Sequence, residues 1–436
     1  MSLRDWNQSD WEQIAAFYVP LAIALIARLL NGRQPRQFAA CLLSLCWTAP
    51  SLLIVDRMNP VAGWWTFTGA ASSHSMPMEL FIGWAVLWGL VPQVAFPHLR
   101  LAWCAALMVC ADLIGMPMCG AFVHLGPHWL AGEAAAVVFV LLPALCVARW
   151  TRQNTHLEAR ATIQVATAGL LFLYLLPEIT FDRRRGQGWG SLLHMAGWHR
   201  QLALELVALL AVPGVSAVMD FAERGGGTPI PYDPPRRLVT SGMYRYCRNP
   251  MQTSCALVML AWAAILHSYW MLAAAAISIA YSAGVAAWDE GEDLDSRFGV
   301  EWREYRSAVR NWLPRWRPYH AGAPATAYMA RTCGPCSAVR AWLEARAPVG
   351  LNFIDAEDLP SGSIMRMRYD PGDGSGAVEG VRAMARALEH LHLGWALGGA
   401  ILRLPGVWQS VQLLMDASGL GPRRLQSCPV ESRAAR

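Results

Sequence analysis

The chain contains no lysine, so all 36 of its basic residues are arginine. Charged residues of both signs make up only 15% of the 436 residues, whereas a soluble protein usually carries about a quarter. The net charge of +5 is modest, and no basic run is interleaved with aromatic residues in a base-stacking pattern. This composition argues against a soluble protein and against a nucleic-acid partner.

A disulfide framework and a cleavable leader are also missing. The eleven cysteines are scattered, and several lie in apolar segments, where a thiol behaves as a small hydrophobic group. The N-terminal stretch carries acids and tryptophans before its first apolar run and has no cleavage site, so we do not expect a signal peptide. We predict no metal site.

Apolar residues, by contrast, are abundant. They make up 55% of the chain, which also contains 21 tryptophans, as expected of a polytopic membrane protein with aromatic belts. A helix that crosses a bilayer needs about 20 mostly apolar residues, and about nine segments qualify. They lie near residues 15–30, 38–55, 79–96, 101–119, 129–148, 161–180, 201–220, 251–266 and 269–288. We therefore predict a mainly α, polytopic helical membrane protein.

The arginines predict the orientation of the chain, because cytoplasmic loops are enriched in basic residues. If the loop after the first span is cytoplasmic, so are residues 227–252 and everything after Trp288. We predict a multi-pass protein of the inner (cytoplasmic) membrane. One loop breaks the pattern, since it would place four arginines outside: Arg183, Arg184, Arg185 and Arg200.

Four acidic residues lie within or near the ends of the predicted spans: Asp112, Glu133, Glu178 and Glu205. Carboxylates inside a membrane are costly and point to a function, or else they pair between helices or lie at the interface. The sequence leaves both readings open. His194 and His199 lie in a loop, and we expect them to be solvated.

The most informative stretch is Gly227–Gln252, which reads GTPIPYDPPRRLVTSGMYRYCRNPMQ. A loop this polar beside a membrane span must face water or a cavity. A second polar stretch begins near Asp289 and ends at Pro314, two apolar segments later. Because a tight hairpin at His267 and Ser268 joins those segments, we expect the two stretches to form halves of one site.

The residue types in these stretches suit a methyl donor such as S-adenosylmethionine. Such a ligand needs donors for its carboxylate, acceptors for its hydroxyl and ammonium groups, and an apolar slot for adenine. Arginines could supply the donors and Glu290 the acceptor, beside a slot formed by Met243, Tyr244 and Tyr246. The simpler interpretation is a basic cytoplasmic loop followed by an acidic helix end.

The stretch LVTSGMYRYCRNPM resembles the signature of the isoprenylcysteine carboxyl methyltransferase family and its bacterial relatives, across about residues 160–318. The matched residues are Leu238, Val239, Gly242, Tyr244, Arg248, Asn249 and Pro250, and downstream Glu290, Leu294, Phe298, Gly299, Tyr305, Leu313 and Pro314. The resemblance implies an integral membrane enzyme that uses S-adenosylmethionine. It implies a cofactor cleft formed by Arg236, Arg237, Leu238, Val239, Tyr244, Arg248, Asn249, Pro250, Met251, Gln252 and Glu290.

Three positions depart from that family pattern. Gln252 replaces its final tyrosine, Gly291 replaces its second acid, and Ala286 replaces an arginine that holds the substrate carboxylate. Alanine cannot neutralise a carboxylate. We therefore expect a lipidic or amphipathic small-molecule acceptor with a carboxylate, thiol or amine, rather than an isoprenylcysteine in particular.

A different kind of sequence follows residue 318. Cys333-Gly-Pro-Cys336 lies between a strand-like piece and a helical pattern, with another strand-like run at 351–354. This order predicts a small C-terminal α/β thioredoxin-like domain with redox-active Cys333 and Cys336, although half of a zinc site or incidental cysteines remain alternatives. Residues 327–423 resemble the DCC-type thiol-disulfide oxidoreductase family, which implies a thiol reductant partner.

Together these features predict N-terminal transmembrane helices of unknown role (1–158), a membrane methyltransferase domain (159–318), a linker (319–326), a thioredoxin-like domain (327–423) and a tail (424–436). We expect an S-adenosylmethionine-dependent methyltransferase with a cytoplasmic redox domain. A transporter or channel-like protein with a CxxC redox-sensing tail is the main alternative. A membrane anchor with an inactive methyltransferase remnant is another.

Overall fold

The computed structural model describes residues 7–31, 36–68, 76–182, 185–230, 233–359 and 364–422. Arg183, Arg184 and the predicted tail at 424–436 lie outside these residues, as do the side chains of Ala286 and Asp289. The chain forms two compact units. The first comprises Met1–Leu170 and Gly227–Pro234, and the second comprises Leu171–Gly226 and Pro235–Arg436.

Long apolar helices make up most of the first unit. They are α1 (Gln8–Leu30), α2 (Gln37–Ala62), α3 (Met78–Ala95), α4 (Leu101–Met118), α5 (Trp129–Gln153) and the first part of α6 (Leu157–Thr180). Asn7 caps α1, because its side chain accepts from the Asp10 backbone N–H at 2.9 Å. A short antiparallel pair, β1 (Trp65–Phe67) and β2 (Val123–Leu125), lies among these helices.

A cluster of tryptophans fills the core of this unit. Trp65 packs edge-on against Trp84 at 5.8 Å between ring centroids, and Trp84 packs against Trp88 at 5.2 Å. Edge-to-face pairs at these separations stabilise a core beyond the apolar area that they bury. Part of the tryptophan content is therefore buried inside the protein, where the sequence suggested belts at the membrane surface.

The first unit also includes the beginning of the polar stretch. Asp233 is buried and pairs with Arg160 on α6, and it accepts a hydrogen bond from Thr228 Oγ1 at 2.8 Å. A buried ion pair persists only when further hydrogen bonds satisfy its remaining atoms, and Asn154 Oδ1 accepts from Arg160 at 3.3 Å. The sequence reads residues 227–252 as one loop, but this pairing assigns Gly227–Pro234 to the first unit and the remainder to the second.

Before its C-terminal α/β part, the second unit contains the end of α6 and five further helices among the described residues. They are α7 (Trp189–Leu193), α8 (Gly197–Gly225), α9 (Pro250–Ile265), α10 (Tyr269–Gly284) and α11 (Ala287–Ala308). Ser268 caps α10 by accepting from the Met271 backbone N–H at 3.2 Å, so α9 and α10 form the predicted tight hairpin. Their shared core includes Val258, Trp262 and Met271.

Seven of the nine predicted spans are long and apolar enough to cross a membrane. The other two, α9 and α10, are shorter apolar helices in the described residues, so a count of nine is not confirmed. A helix of 16 residues such as α9 is about 24 Å long, which is less than the roughly 30 Å of a hydrocarbon core. Seven spans are sufficient to indicate a multi-pass membrane protein.

A small α/β part ends the second unit. Its elements are β3 (Ala325–Met329), α12 (Gly334–Glu344), β4 (Leu351–Asp355), β5 (Arg368–Asp370), β6 (Val378–Glu379), α13 (Val381–Leu388), α14 (Leu393–Arg403) and α15 (Val407–Met415). The strand order is β4-β3-β5-β6; β3 is parallel to β4 and antiparallel to β5, and β6 is antiparallel to β5. The predicted sequence of strand, CxxC turn, helix and strand is therefore present.

Candidate functional site

The motif loop, defined here as residues 235–249, connects α8 to α9 and is held by apolar contacts on two sides. Val239 and Tyr244 pack against Ala217 and Phe221 near the end of α8. Leu238 lies in a second cluster with residues of α11 and the segment after it, among them Leu294, Phe298, Trp302 and Tyr305. Several residues that the resemblance assigns to the cofactor cleft therefore also anchor the loop.

Gly242 allows the loop to approach α8 closely. Its φ of +59° lies in the left-handed region, and a Cβ there would be 1.9 Å from Oδ2 of Asp220. Asp220 is fully buried, so the carboxylate has no room to move aside. The motif therefore requires glycine at this position for both backbone and steric reasons.

The structure brings the two sequence motifs into contact, as expected from the hairpin. Tyr305 Oη on α11 donates to the Tyr244 carbonyl at 2.8 Å. Backbone bonds then tie the segment after α11 to the loop: Arg248 N donates to Arg310 O at 3.0 Å, and Arg315 N donates to Tyr246 O at 2.9 Å. Gly299, at φ +51°, breaks the helical path of α11 between Glu290 and Tyr305.

Arg248, Asn249 and Gln252 lie where the loop enters α9. The Arg248 guanidinium lies 5.6 Å from the Trp302 ring centroid, and its buried Nε has no hydrogen-bond partner among the described residues. Burial, followed by the nearby charge of Arg306, lowers the pKa of Arg248. Asn249 Nδ2 donates to Gln252 Oε1 at 3.3 Å, and Pro250 occupies the first turn of α9, where its missing N–H costs nothing.

Glu290 is exposed on α11 and lies close enough to the loop to act on Tyr244. Burial raises the pKa of the Tyr244 phenol well above its usual value, and the charges of Asp220 and Glu290 add to that effect. The phenol Oη is buried and has no hydrogen-bond partner among the described residues. The site therefore combines a protonated phenol donor with a nearby carboxylate.

Arg236 and Arg237 lie at the protein surface. The Arg236 backbone N–H donates to Gly225 O at 2.6 Å, which closes the turn between α8 and the loop. Arg237 Nη1 donates to the Asp373 carbonyl at 3.4 Å, so this predicted cofactor residue contacts the C-terminal α/β part.

The C-terminal α/β part supports the motif loop, a role that sequence reasoning missed. Tyr246 Oη donates to the Glu389 carbonyl at 3.0 Å, and Met243 packs against Ala400 on α14. The sequence predicts only a linker between the methyltransferase part and the C-terminal part, and it indicates no contact between them. No local pattern could have revealed these contacts, because the partners lie more than a hundred positions apart.

A buried ion network joins α8 to α13 and α14. Asp220 accepts from Arg386 at 2.5 Å and from both terminal nitrogens of Arg403 at 2.8 Å. Glu389 contacts Arg386 and Arg403 as well, and Glu223 accepts from Arg386 at 2.9 Å. Burial alone would lower the pKa of Arg386, but these carboxylates raise it well above its usual value. Arg386 therefore stays charged throughout the physiological range.

The CxxC pair lies at the start of α12, with Cys333 at the helix cap and Cys336 in the first turn. Both cysteines line a cavity of about 270 Å³. Its other lining residues include five methionines: Met329, Met365, Met367, Met384 and Met415. Thioether side chains adapt to ligands of varied shape, so this cavity suits an apolar group beside the cysteines.

Glu357 fixes the turn that precedes Cys333, a contact that no motif in the sequence indicates. Its carboxylate accepts from the backbone N–H groups of Arg331 at 3.0 Å and Thr332 at 2.9 Å, and from Thr332 Oγ1 at 2.7 Å. Burial raises the pKa of Glu357, but these donors outweigh it and lower the pKa to about 2. The carboxylate is therefore ionised at neutral pH.

The acids predicted in or near spans fall into two groups. Glu178 accepts from Trp189 Nε1 at 2.8 Å, and the exposed Glu205 accepts from Gln201 at 2.9 Å, so both have polar partners. Asp112 and Glu133 in the first unit are buried and interact with each other. His194 and His199 are exposed, but His199 lies in the first turn of α8 and not in a loop.

The comparison with known families covers the centre of this site. Residues 205–299 match the family model described as phospholipid methyltransferase. Neither a curated protein nor a solved structure matches the chain significantly. The matched range begins within α8, includes the whole motif loop and the α9–α10 hairpin, and ends in α11 beyond Glu290. This similarity supports the membrane methyltransferase interpretation and indicates an integral membrane methyltransferase.

Replacing Gly242 with alanine should damage the site, because the new Cβ would collide with the buried Asp220 carboxylate and the residue would be strained at positive φ. We expect a loss of about 1–3 kcal/mol or more in unfolding free energy. Gly291→Ala on α11 is the matched control, since its Cβ would meet nothing within 4 Å and alanine favours a helix by about 1 kcal/mol. Thermal unfolding in detergent measures both, and equal effects of the two substitutions would contradict this packing.

Proposed function

We propose that the chain transfers a methyl group from S-adenosylmethionine to a lipidic or amphipathic small-molecule acceptor. The observation that carries this proposal is the phospholipid methyltransferase match over residues 205–299, which contains both the motif loop and Glu290. The same match does not favour a transporter or channel. The bound cofactor would supply an electrophilic methyl group, and the protein would supply binding and orientation.

Two buried donors of the site fit such a cofactor. Tyr244 Oη and Arg248 Nε have no hydrogen-bond partner among the described residues, and the exposed Glu290 acts on Tyr244 through its charge. Buried polar groups are normally hydrogen-bonded, so unpaired ones in a motif point to a ligand. We assign the cofactor's carboxylate to Arg248 and its hydroxyl or ammonium groups to Glu290.

The remaining cofactor residues divide into two roles. Leu238, Val239, Pro250 and Met251 shape and anchor the loop through apolar packing. Arg236, Arg237, Asn249 and Gln252 provide polar atoms at its surface or at the start of α9. Because catalysis of in-line methyl transfer depends mainly on positioning and desolvation, such a division is sufficient without a general base.

The acceptor is the less determined half of the reaction. The name of the matched family points to a phospholipid acceptor. Of the three acceptor groups expected from the sequence, which are a carboxylate, a thiol and an amine, the amine fits that name. An amine must lose a proton before or after transfer. Tyr244 is unsuited as the base because its raised pKa keeps it protonated, so we assign it only hydrogen-bond donation.

We place the protein in the inner membrane, with the motif loop and the C-terminal part in the cytoplasm. This orientation rests on the arginine distribution along the loops. The segment after α11 is anchored to the motif loop by backbone hydrogen bonds within the second unit, so both would lie on the same side of the membrane.

We further propose that residues 327–423 form a thioredoxin-like thiol-disulfide oxidoreductase domain. The strand order β4-β3-β5-β6, with one parallel and two antiparallel pairs, supports this proposal. The position of Cys333 and Cys336 at the start of α12 supports it too. The two thiols would lose two electrons and two protons to a thiol-disulfide partner and form one S–S bond.

Titration of S-adenosylhomocysteine into the detergent-purified chain tests the methyltransferase proposal. We expect saturable binding, weakened at least about tenfold by Glu290→Ala, which corresponds to about 1.4 kcal/mol. Glu301→Ala, an exposed acid farther along the same helix, should bind like the wild type. A folded wild type that does not bind, or equal losses in both variants, would overturn the proposed cofactor site.

Thiol labelling in glutathione buffers of graded potential tests the redox proposal. We expect Cys333 and Cys336 to become protected together as the buffer is oxidised, with a two-electron dependence of about 30 mV per tenfold change. Cys255→Ser, on α9, should leave this transition unchanged. Protection of one cysteine that persists when the other is replaced by serine would contradict a disulfide between them.

A further inference from the structure

A second cavity of about 270 Å³ lies between the motif loop and the C-terminal part, entirely within the second unit. The cavity is lined by residues 237–241 of the motif loop, by residues 319–323 in the segment after α11, and by the turn at 371–375. Arg224 and Arg245 complete the lining. Its lining shares Arg237, Leu238 and Val239 with the residues that the resemblance assigns to the cofactor cleft, but it contains neither Arg248 nor Glu290, the two residues to which we assign the cofactor's polar groups.

Arg245 is a buried cation that no acidic side chain among the described residues neutralises. Only 6% of the residue is exposed, and no carboxylate pairs with it among the described residues. Its Nε has no hydrogen-bond partner there. A buried charge is normally paired, because leaving it unpaired in a protein interior costs several kcal/mol in general.

The nearest polar neighbour of Arg245 does not compensate it. Nη1 of Arg245 lies 3.4 Å from Nδ1 of His390, but that ring nitrogen is 2.7 Å from the Val349 carbonyl. A nitrogen that donates to a carbonyl carries the proton and cannot accept from a guanidinium. Nε2 of His390 in turn accepts from the Tyr369 hydroxyl at 2.9 Å. The imidazole is therefore neutral, and both of its ring nitrogens already have hydrogen-bond partners.

The other lining groups also favour an anion. Ser241 is 7% exposed, and its buried Oγ has no partner among the described residues. Arg237 lies at the surface of the same cavity. The one carboxylate in the lining, Asp373, accepts from Arg224 at 3.2 Å and from Ser375 Oγ at 2.5 Å, so it is already satisfied. Three guanidinium groups therefore face a single, occupied carboxylate.

We propose that this cavity binds a phosphate-type oxyanion, held by Arg245 and Arg237 with a hydrogen bond from Ser241. Two guanidinium groups and a hydroxyl suit a tetrahedral anion with several acceptor oxygens. The occupant is a free phosphate ester or the phosphate of a lipid headgroup. It would bridge the motif loop and the turn at 371–375, and so would stabilise the loop against the C-terminal part.

Titration of inorganic phosphate into the full chain, at constant ionic strength set with chloride, tests the proposal. We expect a saturable rise in the unfolding temperature and a measurable heat of binding. Arg245→Met should weaken phosphate binding at least about tenfold and Ser241→Ala by a few-fold. Arg317→Met, an exposed arginine outside the cavity, should bind like the wild type.

Arg245→Met should not lower the unfolding temperature of the phosphate-free protein, because it removes an uncompensated buried charge. If that variant nevertheless fails to fold, Arg237→Met provides the same test from a surface position. A short-chain phosphatidic acid distinguishes the two sources: binding of the lipid alone identifies a headgroup, and binding of both identifies a general phosphate site.

Two results would overturn the proposal. Equal stabilisation of the wild type and Arg245→Met by phosphate would leave an adventitious ion only. Loss of S-adenosylhomocysteine binding in Arg245→Met, with no phosphate effect on the wild type, would assign the cavity to the cofactor's own carboxylate. The cofactor titration of the wild type is independent of phosphate, so failure of the oxyanion site and failure of the methyltransferase proposal are separable.

Discussion

The buried carboxylate of Asp220, near the end of α8, holds the second unit together. It pairs with Arg386 and Arg403 from the C-terminal part, and its Oδ2 fills the space beside Gly242 in the motif loop. Removing one partner of such a buried group typically costs about 3–5 kcal/mol, because the other charge is left uncompensated. The motif loop and the C-terminal part that carries the CxxC motif are therefore packed together in one unit.

This constraint changes how the motif residues are understood. A family signature does not distinguish residues that bind a ligand from residues that pack and hold the fold. Here most of the apolar residues of the motif pack and hold the loop in place. Leu238 and Val239 anchor the loop on two sides, and Gly242 allows its approach to α8. Tyr244 Oη and Arg248 Nε remain as buried donors without a hydrogen-bond partner among the described residues, and the charge of Glu290 acts on Tyr244.

The sequence predicted the local features and missed the distant ones. The α9–α10 hairpin, the contact of the two polar stretches and the strand-CxxC-helix-strand order all follow from patterns within a few dozen residues. The number of membrane spans did not follow from the sequence, because hydropathy does not show that α9 ends after 16 residues. The pairings of Asp233 with Arg160 and of Asp220 with Arg386 leave no periodic trace in one sequence, so neither the division of the polar stretch nor the docking of the C-terminal part could be foreseen.

Hydrogen–deuterium exchange of the full chain in detergent, with and without S-adenosylhomocysteine, tests most directly whether the motif loop and α11 form the cofactor site. The account predicts slower exchange at residues 236–252 and 287–294, with the helices at 8–62 unchanged, because ligand contacts would order the loop against Glu290 and its neighbours. Protection confined to other parts of the chain, or none in the loop despite measured binding, would contradict it.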